Sequence, residues 1–88
     1  MTFEELEFLV HPRGEGKRAA GVFHNSYGYS IIQTPYSYGG EDGLYELAVM
    51  HRGQLCYDTP LTDDVIGRLT PADITELLLQ IEALEPTK

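Results

Sequence analysis

Tryptophan is absent from this sequence, cysteine occurs once, and basic residues are scarce. The 88 residues include 6 Lys and Arg against 14 Asp and Glu, which gives a formal net charge of −8 at pH 7. The single Cys56 excludes an internal disulfide, and one cysteine cannot by itself supply a cysteine-based zinc site. Because nucleic-acid binding depends on Lys and Arg replacing phosphate counterions, this charge also argues against DNA or RNA as a direct ligand.

Long hydrophobic runs are absent as well. Stretches such as Leu77–Leu79 are far shorter than the roughly 18 apolar residues that a transmembrane helix needs. The N-terminal segment Met1–Glu7 is acidic where a signal peptide would be basic. Hydrophobic residues nonetheless make up 42% of the chain, which is ordinary for a folded domain. We therefore expect one small, soluble domain spanning residues 1–88, located in the cytoplasm and not bound to a membrane.

The negative charge is unevenly distributed along the chain. Residues 1–40 carry four acidic and three basic side chains, whereas residues 41–88 carry ten acidic and three basic ones. A field of this sign suits a protein partner with a basic surface, or imitation of DNA towards a DNA-binding protein. The alternative is that the acidity only keeps a small protein soluble. The sequence leaves both interpretations open.

The N-terminal element and a mobile loop occupy residues 1–18. Thr2 followed by Glu5 fits a capping box, and apolar residues then recur at helical spacing, so we predict a short helix over residues 3–10. A strand remains the alternative, since the alternation of polar and apolar residues there is imperfect. Residues 12–18 contain two glycines and three bases, which favours a mobile loop.

A β-meander is predicted over residues 19–59, where the apolar pattern changes to a period of two. A tight turn at His24–Tyr27, with Asn25 tolerating positive φ, leads into a strand that ends before Pro35. This arrangement predicts one shared sheet face for the apolar residues Ala20, Val22, Tyr27, Tyr29 and Ile31. A glycine-rich loop then covers residues 35–43.

Two registers are conceivable for the hairpin Leu44–Asp58. A two-residue turn at Arg52–Gly53 places Met50 opposite Leu55 and mixes polar and apolar residues on both faces. A three-residue turn that includes His51 places Val49 opposite Leu55 and gathers the apolar residues on one face. We predict the second register, because a shift of one residue would expose the whole apolar set. It buries Val49, Leu55 and Tyr57 together, and it puts Met50, Gln54 and Cys56 on the opposite face.

The last two predicted elements are helical. Within residues 60–69, the segment Thr62–Gly67 resembles one helical turn, with a Thr cap and a glycine stop. A longer helix over residues 70–85 begins with Thr70 as cap and Pro71 at the first helical position. Its apolar stripe consists of Ile74, Leu77, Leu78, Ile81 and Leu84, with Leu79 off the stripe.

These elements predict an α+β fold. It consists of a four-stranded antiparallel β-meander, a C-terminal α-helix packed on one face and a short N-terminal helix. The core is small for a stable domain, so dimerisation is a natural supplement.

We find no pattern typical of a metal site, a cofactor site or an enzyme. The three histidines His11, His24 and His51 lack the spacing of metal ligands, and Asp58–Asp64 lacks the pattern of a calcium loop. No motif supports Cys56 as a nucleophile. The glycines of Tyr38–Gly43 precede a strand and have no lysine, so they do not form a phosphate loop.

Tyrosine is the residue type that points to binding. The chain has 6 tyrosines, and four lie among Ser and Gly in residues 27–38. Tyrosine gives a large, stiff contact area with a polar tip, while Ser and Gly let the backbone adapt. We therefore predict that Tyr36, Tyr38, Glu41 and Asp42 contact a protein partner. The alternative is that these tyrosines only cover the edge of the core.

Three segments resemble small proteins encoded by bacteriophages and prophages. They are NSYGYSII at Asn25–Ile32, YGGEDGLYELAV at Tyr38–Val49 and YDTPLTDDVIG at Tyr57–Gly67, followed by a leucine-rich helix. The resemblance implies a phage accessory protein made in a bacterial cytoplasm, and it transfers no catalytic or binding residue. We expect a non-enzymatic protein that binds a host or phage protein. The alternative is a structural or assembly component whose role is self-association, for example as a homodimer.

Overall fold

The computed structural model describes residues 1–55 and 65–85. Within these residues, six strands form one antiparallel sheet, and a single α-helix of twelve residues packs on it. The strands are β1 (Leu9–Val10), β2 (Lys17–Val22), β3 (Tyr27–Gln33), β4 (Tyr45–His51), β5 (Gln54–Leu55) and β6 (Ile66–Leu69), and the helix is α1 (Pro71–Glu82). Two single turns of 3-10 helix, Phe3–Glu5 and Gly40–Asp42, complete the described elements. The predicted α+β class is confirmed.

The sheet has more strands than the predicted meander of four. Strands β1 to β4 follow one another in chain order, and β5 and β6 both pair with β4. Because β3 occupies the other edge of β4, β5 and β6 share one edge, with Leu55 opposite Met50 and Leu69 opposite Tyr45. The predicted helical turn in residues 60–69 is therefore wrong for Ile66–Leu69, which is strand. Val65 is not helical either, and the rest of that turn, together with the predictions for Cys56, Tyr57 and Asp58–Asp64, lies outside the described residues.

The core lies between α1 and one face of the sheet. Its buried members are Tyr29, Ile31, Tyr45, Leu47, Val49, Leu69, Ile74, Leu78 and Ile81. The predicted helical stripe is confirmed. Its members Leu77 and Leu84 are partly buried and pack against this core, whereas Leu79, which lies off the stripe, is 51% exposed.

Helix α1 begins as the sequence predicts. Thr70 is the N-cap, and its Oγ1 accepts a hydrogen bond from the Asp73 backbone N–H at 3.2 Å. Asp73 Oδ2 in turn accepts from the Thr70 backbone N–H at 3.0 Å, which completes a capping box. These hydrogen bonds to Thr70 hold the pKa of the Asp73 carboxyl below its usual value.

The C-terminal end of α1 depends on a residue from the β2–β3 turn. Asn25 is 1% exposed, and its Nδ2 donates to the carbonyl oxygens of Ile81 at 3.0 Å and Leu84 at 2.9 Å. Its Oδ1 accepts from the Tyr27 backbone N–H at 3.0 Å. The sequence predicts Asn25 only as a turn residue, and the positive φ of that turn belongs to Ser26. Asn25 therefore ties the hairpin to the helix by satisfying carbonyls that a helix end leaves free.

The N-terminal segment is not the helix predicted over residues 3–10. The capping box is present, since the Thr2 backbone N–H donates to Glu5 Oε1 at 2.8 Å, but the helix ends after one turn. Phe3 and Phe8 both contact the ring of Tyr45, with ring centroids 5.1 and 5.5 Å from it. Residues five apart lie on different sides of an α-helix, so only a more extended chain brings both rings to Tyr45.

The predicted mobile loop over residues 12–18 also ends earlier, because Lys17 and Arg18 open β2. Lys17 Nζ lies 5.0 Å from the ring centroid of Phe8 and 5.4 Å from that of Tyr45. A cation over aromatic rings is attracted by their negative faces. This contact draws the base onto the sheet instead of leaving it in a loop.

The predicted shared face of β2 and β3 is wrong by one residue. Ala19 pairs with Ile31 and Gly21 pairs with Tyr29, so Ala20 and Val22 lie on the other face of the sheet. Successive residues of a strand point to opposite faces. Val22 is accordingly 67% exposed, while Ala19 is buried.

The predicted hairpin register is wrong as well. The turn between β4 and β5 has two residues, Arg52 and Gly53, with φ of 53° and 82°. Positive φ at both central positions is typical of the hairpin turns whose twist matches that of the flanking strands. Val49 is buried as predicted, but Leu55 is 50% exposed because it lies on the face of the sheet away from α1.

Candidate functional site

The predicted contact residues lie in the loop between β3 and β4, residues 34–44, which we call the tyrosine loop. Its first turn is held by two hydroxyl side chains. Ser37 Oγ accepts from the Thr34 backbone N–H at 2.9 Å, and Thr34 Oγ1 accepts from the backbone N–H groups of Tyr36 at 3.1 Å and Ser37 at 3.0 Å. Such side-chain bonds replace the missing ladder bonds of a loop. The backbone that carries Tyr36 is therefore defined by local hydrogen bonds.

Glycines shape the second half of the tyrosine loop. Gly39 and Gly43 have φ of 82° and 78°, a conformation that side chains disfavour, and they flank the single 3-10 turn Gly40–Asp42. A Cβ at Gly40 would collide with the carbonyl oxygen of Thr34. The loop can fold back on its own first turn only because glycine stands there.

The tyrosine loop is fastened to the sheet through Tyr38. The Tyr38 backbone N–H donates to Glu46 Oε2 at 3.2 Å, and its carbonyl oxygen accepts from the Arg68 backbone N–H at 3.2 Å. The side chain of Tyr38 passes over Gly67, where a Cβ would collide with the Cβ of Tyr38. Tyr38 is thus held between β4 and β6, while 66% of its surface stays exposed.

The structure brings three of the four predicted residues together. Tyr38, Glu41 and Asp42 line one open depression of about 290 Å³ together with Arg68. Tyr36, which is 85% exposed, lines a different depression of about 410 Å³ that it shares with the β1–β2 connection and with Ile32 and Glu46 of the sheet. The predicted contact residues therefore face two neighbouring depressions and not one.

Sequence reasoning missed Arg68, the basic residue of this site. Arg68 Nη1 lies 3.4 Å from Asp42 Oδ2, and both side chains are about two-thirds exposed, at 69% and 68%. An ion pair so open to solvent contributes roughly 0–1 kcal/mol. The sequence assigned the segment before Arg68 to a helical turn, so nothing indicated that β6 would bring it beside Asp42.

Acidic side chains are concentrated away from the tyrosine loop. Residues 1–8 and 70–85, which we call the helix layer, contain seven carboxylates and no Lys or Arg: Glu4, Glu5, Glu7, Asp73, Glu76, Glu82 and Glu85. One of these, Glu82, pairs with the N-terminal amine at 3.3 Å. Glu5 is stabilised in its charged form by hydrogen bonds from Thr2, which lower its pKa. The helix layer thus supplies much of the negative field, whereas the two acids of the tyrosine loop, Glu41 and Asp42, lie beside Arg68 of β6.

Metal ligands do not cluster in the part of the chain that the structure describes. No group of three or more His, Cys, Asp or Glu residues comes together within residues 1–55 and 65–85. His11 Nδ1 accepts a hydrogen bond from the Arg13 backbone N–H at 3.1 Å, and the ring of His51 stacks on Tyr27 with centroids 4.6 Å apart. Among the described residues, no helix is long and apolar enough to cross a membrane.

Comparison with known proteins gave no match to the chain among protein-family models, curated proteins or solved structures. The tyrosine loop is therefore interpreted from its own geometry. It offers two exposed aromatic rings on a backbone held by hydrogen bonds, with an acidic pair and one arginine beside them. Such an arrangement is suited to contact with another macromolecule.

Proposed function

We propose that this chain is a non-enzymatic, phage-type accessory protein that binds a host or phage protein in the bacterial cytoplasm. Its contact surface is the tyrosine loop, with Tyr36 and Tyr38 as anchors and Glu41 and Asp42 at the rim. The partner presents a basic surface. Neither a cofactor nor a metal ion takes part in this function.

The exposure of Tyr36 and Tyr38 on a hydrogen-bonded loop is the observation that carries the proposal. Burial of a solvent-exposed aromatic ring lowers the free energy, and tyrosine is among the residues that dominate binding energies at interfaces. Binding also costs less when the contacting loop is already ordered. The Thr34–Ser37 bonds and the attachment of Tyr38 to Glu46 and Arg68 provide that order.

The charges around Tyr38 favour a basic partner. Glu41 and Asp42 are both exposed, and Asp42 already accepts from Arg68. A lysine or arginine of the partner can replace Arg68 as the ion-pair partner of Asp42 at little cost in free energy, because the existing ion pair is solvated. The chain's net charge of −8 adds long-range attraction, which raises the association rate at low salt.

The proposal is tested by selecting binders from a displayed library of random peptides against the wild-type chain. We expect the selected peptides to be rich in Lys and Arg. In titrations, Tyr38→Ala should weaken a selected peptide at least tenfold through faster dissociation. The double change Glu41→Gln with Asp42→Asn should mainly slow association.

Matched controls lie on the helix layer. Leu79→Ala removes an exposed apolar side chain there, and Glu76→Gln with Glu85→Gln removes two exposed charges. Both controls should bind the selected peptide like wild type, apart from a small change in association rate. Unchanged binding by a Tyr36→Ala, Tyr38→Ala double variant would contradict the proposal.

Nucleic acid provides the second arm of the test. We expect no binding of duplex DNA or single-stranded RNA at about 150 mM salt, where a Debye length of about 8 Å leaves only close contacts unscreened. Gel-shift and fluorescence titrations measure this directly. Micromolar binding of either nucleic acid under these conditions would overturn the assignment of a basic protein partner.

A further inference from the structure

The face of the sheet away from α1, which we call the open face, has no described helix or strand above it. Three of its large apolar side chains are well exposed: Leu9 by 68%, Val22 by 67% and Leu55 by 50%. Half-buried apolar residues, Ile32 and Met50 among them, lie between these three. An apolar surface of this kind on a small domain marks a contact site more often than a solvated face.

The open face is organised in three cross-strand rows centred on β3. The rows, each written from β2 through β3 to β4, are Arg18–Ile32–Glu46, Ala20–Ser30–Ala48 and Val22–Gly28–Met50. In each row the two outer members match: a base with an acid, alanine with alanine, and one apolar side chain with another. The pattern is therefore self-complementary about the line of β3.

We propose that the open face is the interface of a symmetric homodimer in which two copies pack sheet on sheet. A twofold axis in the interface along β3 exchanges the positions of β2 and β4 between the copies. Arg18 then lies opposite Glu46 of the second copy, Ala20 opposite Ala48, and Val22 opposite Met50. Each match occurs twice, as a twofold interface requires.

The charged row distinguishes a second copy from an unrelated partner. Within a copy, Arg18 Nε donates to Ser30 Oγ at 3.1 Å, and Glu46 Oε2 accepts from the Tyr38 backbone N–H at 3.2 Å. Among the described residues neither side chain forms an ion pair. They lie two strands apart, about 10 Å between backbones, on either side of Ile32. The dimer supplies each with an opposite charge.

The size of the open face suits a weak but specific dimer. The nine positions of the three rows, with Leu9 of β1 and Leu55 of β5 beside them, cover roughly 350 Å² at about 4.8 Å between strands and about 6.7 Å between rows. Two such faces bury about 700 Å², which is in the range of weak, transient contacts. We therefore expect dissociation in the range of hundreds of micromolar, with apolar contacts central and the Arg18–Glu46 pairs fixing the orientation.

The test is a charge-reversal cycle followed by analytical ultracentrifugation over a range of protein concentrations. The wild-type chain should sediment as monomer and dimer in equilibrium, with the dimer fraction rising with protein concentration. Arg18→Glu and Glu46→Arg each place like charges opposite one another, so each should raise the dimer dissociation constant at least tenfold. The double variant restores opposite charges and should recover most of the dimer. Circular dichroism checks that each variant is folded.

Two controls separate this proposal from the tyrosine loop. Glu76→Arg reverses a charge on α1 and should leave the dimer unchanged. The double change Glu41→Gln with Asp42→Asn, at the depression beside Arg68, should also leave it unchanged, although it slows peptide association. Because Glu46 also accepts from the Tyr38 backbone N–H, Arg18→Glu is the reversal that separates the two proposals. It should weaken the dimer and leave peptide binding unchanged apart from the association rate, so failure of one proposal does not imply failure of the other. A wild-type chain that stays monomeric at millimolar concentration overturns the dimer. So does a dimer that survives both single reversals.

Discussion

The two faces of the sheet differ in what covers them, although the same strands form both. On the face that α1 covers, Ile31 and Leu47 are 0% exposed, as is Leu78 of α1 above them. On the open face, Leu9 and Val22 are about two-thirds exposed. Alternation along a strand produces both faces from one stretch of sequence. The comparison shows that an apolar residue in this sheet is not by itself a core residue. The stability of the monomer comes from the covered face.

The largest expected effect is loss of a covered side chain. Leu78→Ala should lower the free energy of unfolding by about 2–5 kcal/mol, because it leaves a cavity between α1 and the sheet. Urea unfolding followed by circular dichroism measures the change. A loss below about 1 kcal/mol would mean that α1 does not close the core as described.

The next effect concerns the link between the β2–β3 turn and the end of α1. Asn25→Ala should cost about 1–3 kcal/mol, because the carbonyl oxygens of Ile81 and Leu84 lose their hydrogen bonds from Asn25 Nδ2. His24→Ala, at an exposed position of the same turn, is the matched control and should change the stability little. Equal effects at the two positions would contradict the role of Asn25.

The capping box of α1 should give a smaller change. Thr70→Ala removes the oxygen that accepts from the Asp73 backbone N–H, and it should cost about 0.5–2 kcal/mol in urea unfolding. Thr70→Ser keeps the oxygen and serves as the control.

Asp73 adds a dependence on pH. Its pKa is lowered in the folded chain by the bonds to Thr70, so its stabilising effect is present above the pKa of the unfolded chain. The effect is lost as the pH falls through the lower, folded pKa. The stability difference between wild type and Asp73→Asn should therefore shrink in acid, and a difference that grows on acidification would contradict this assignment.

The smallest effect is expected on the open face. At protein concentrations low enough to keep the chain monomeric, Leu55→Ala should change the stability by no more than about 0.5 kcal/mol, as should Leu79→Ala on the outer side of α1. Unfolding measured on dilute samples tests both. A loss at Leu55 comparable to that at Leu78 would remove the distinction between the faces.

The same distinction explains which parts of the fold could be predicted from the sequence. The capping and stripe of α1 depend on residues within a few positions of one another, so Thr70, Pro71 and Leu78 were predicted correctly. The hairpin register was wrong because it assumed that Leu55 must be buried with Val49. That assumption holds only where one face of a sheet is apolar and the other is polar. Here the open face also carries apolar side chains, so an apolar residue does not have to lie in the core.

The candidate site divides along similar lines. Tyr36 and Tyr38 are exposed, and their role as contact residues, inferred from Ser, Gly and Tyr occurring together in one loop, stays a prediction. Arg68 was not predicted beside Asp42, because their proximity depends on the pairing of β6 with β4 across a long sequence separation. The role of Asn25 escaped prediction for the same reason, since its partners lie at the far end of α1.

Methyl NMR with a soluble paramagnetic probe tests the difference between the two faces most directly. In dilute samples the probe should broaden the methyl signals of Leu9, Val22 and Leu55 and leave those of Ile31 and Leu78 unaffected. Raising the protein concentration should protect the first three as the dimer forms. Open-face methyls that respond to the probe equally at every concentration, or that are shielded from it at every concentration, would contradict the account.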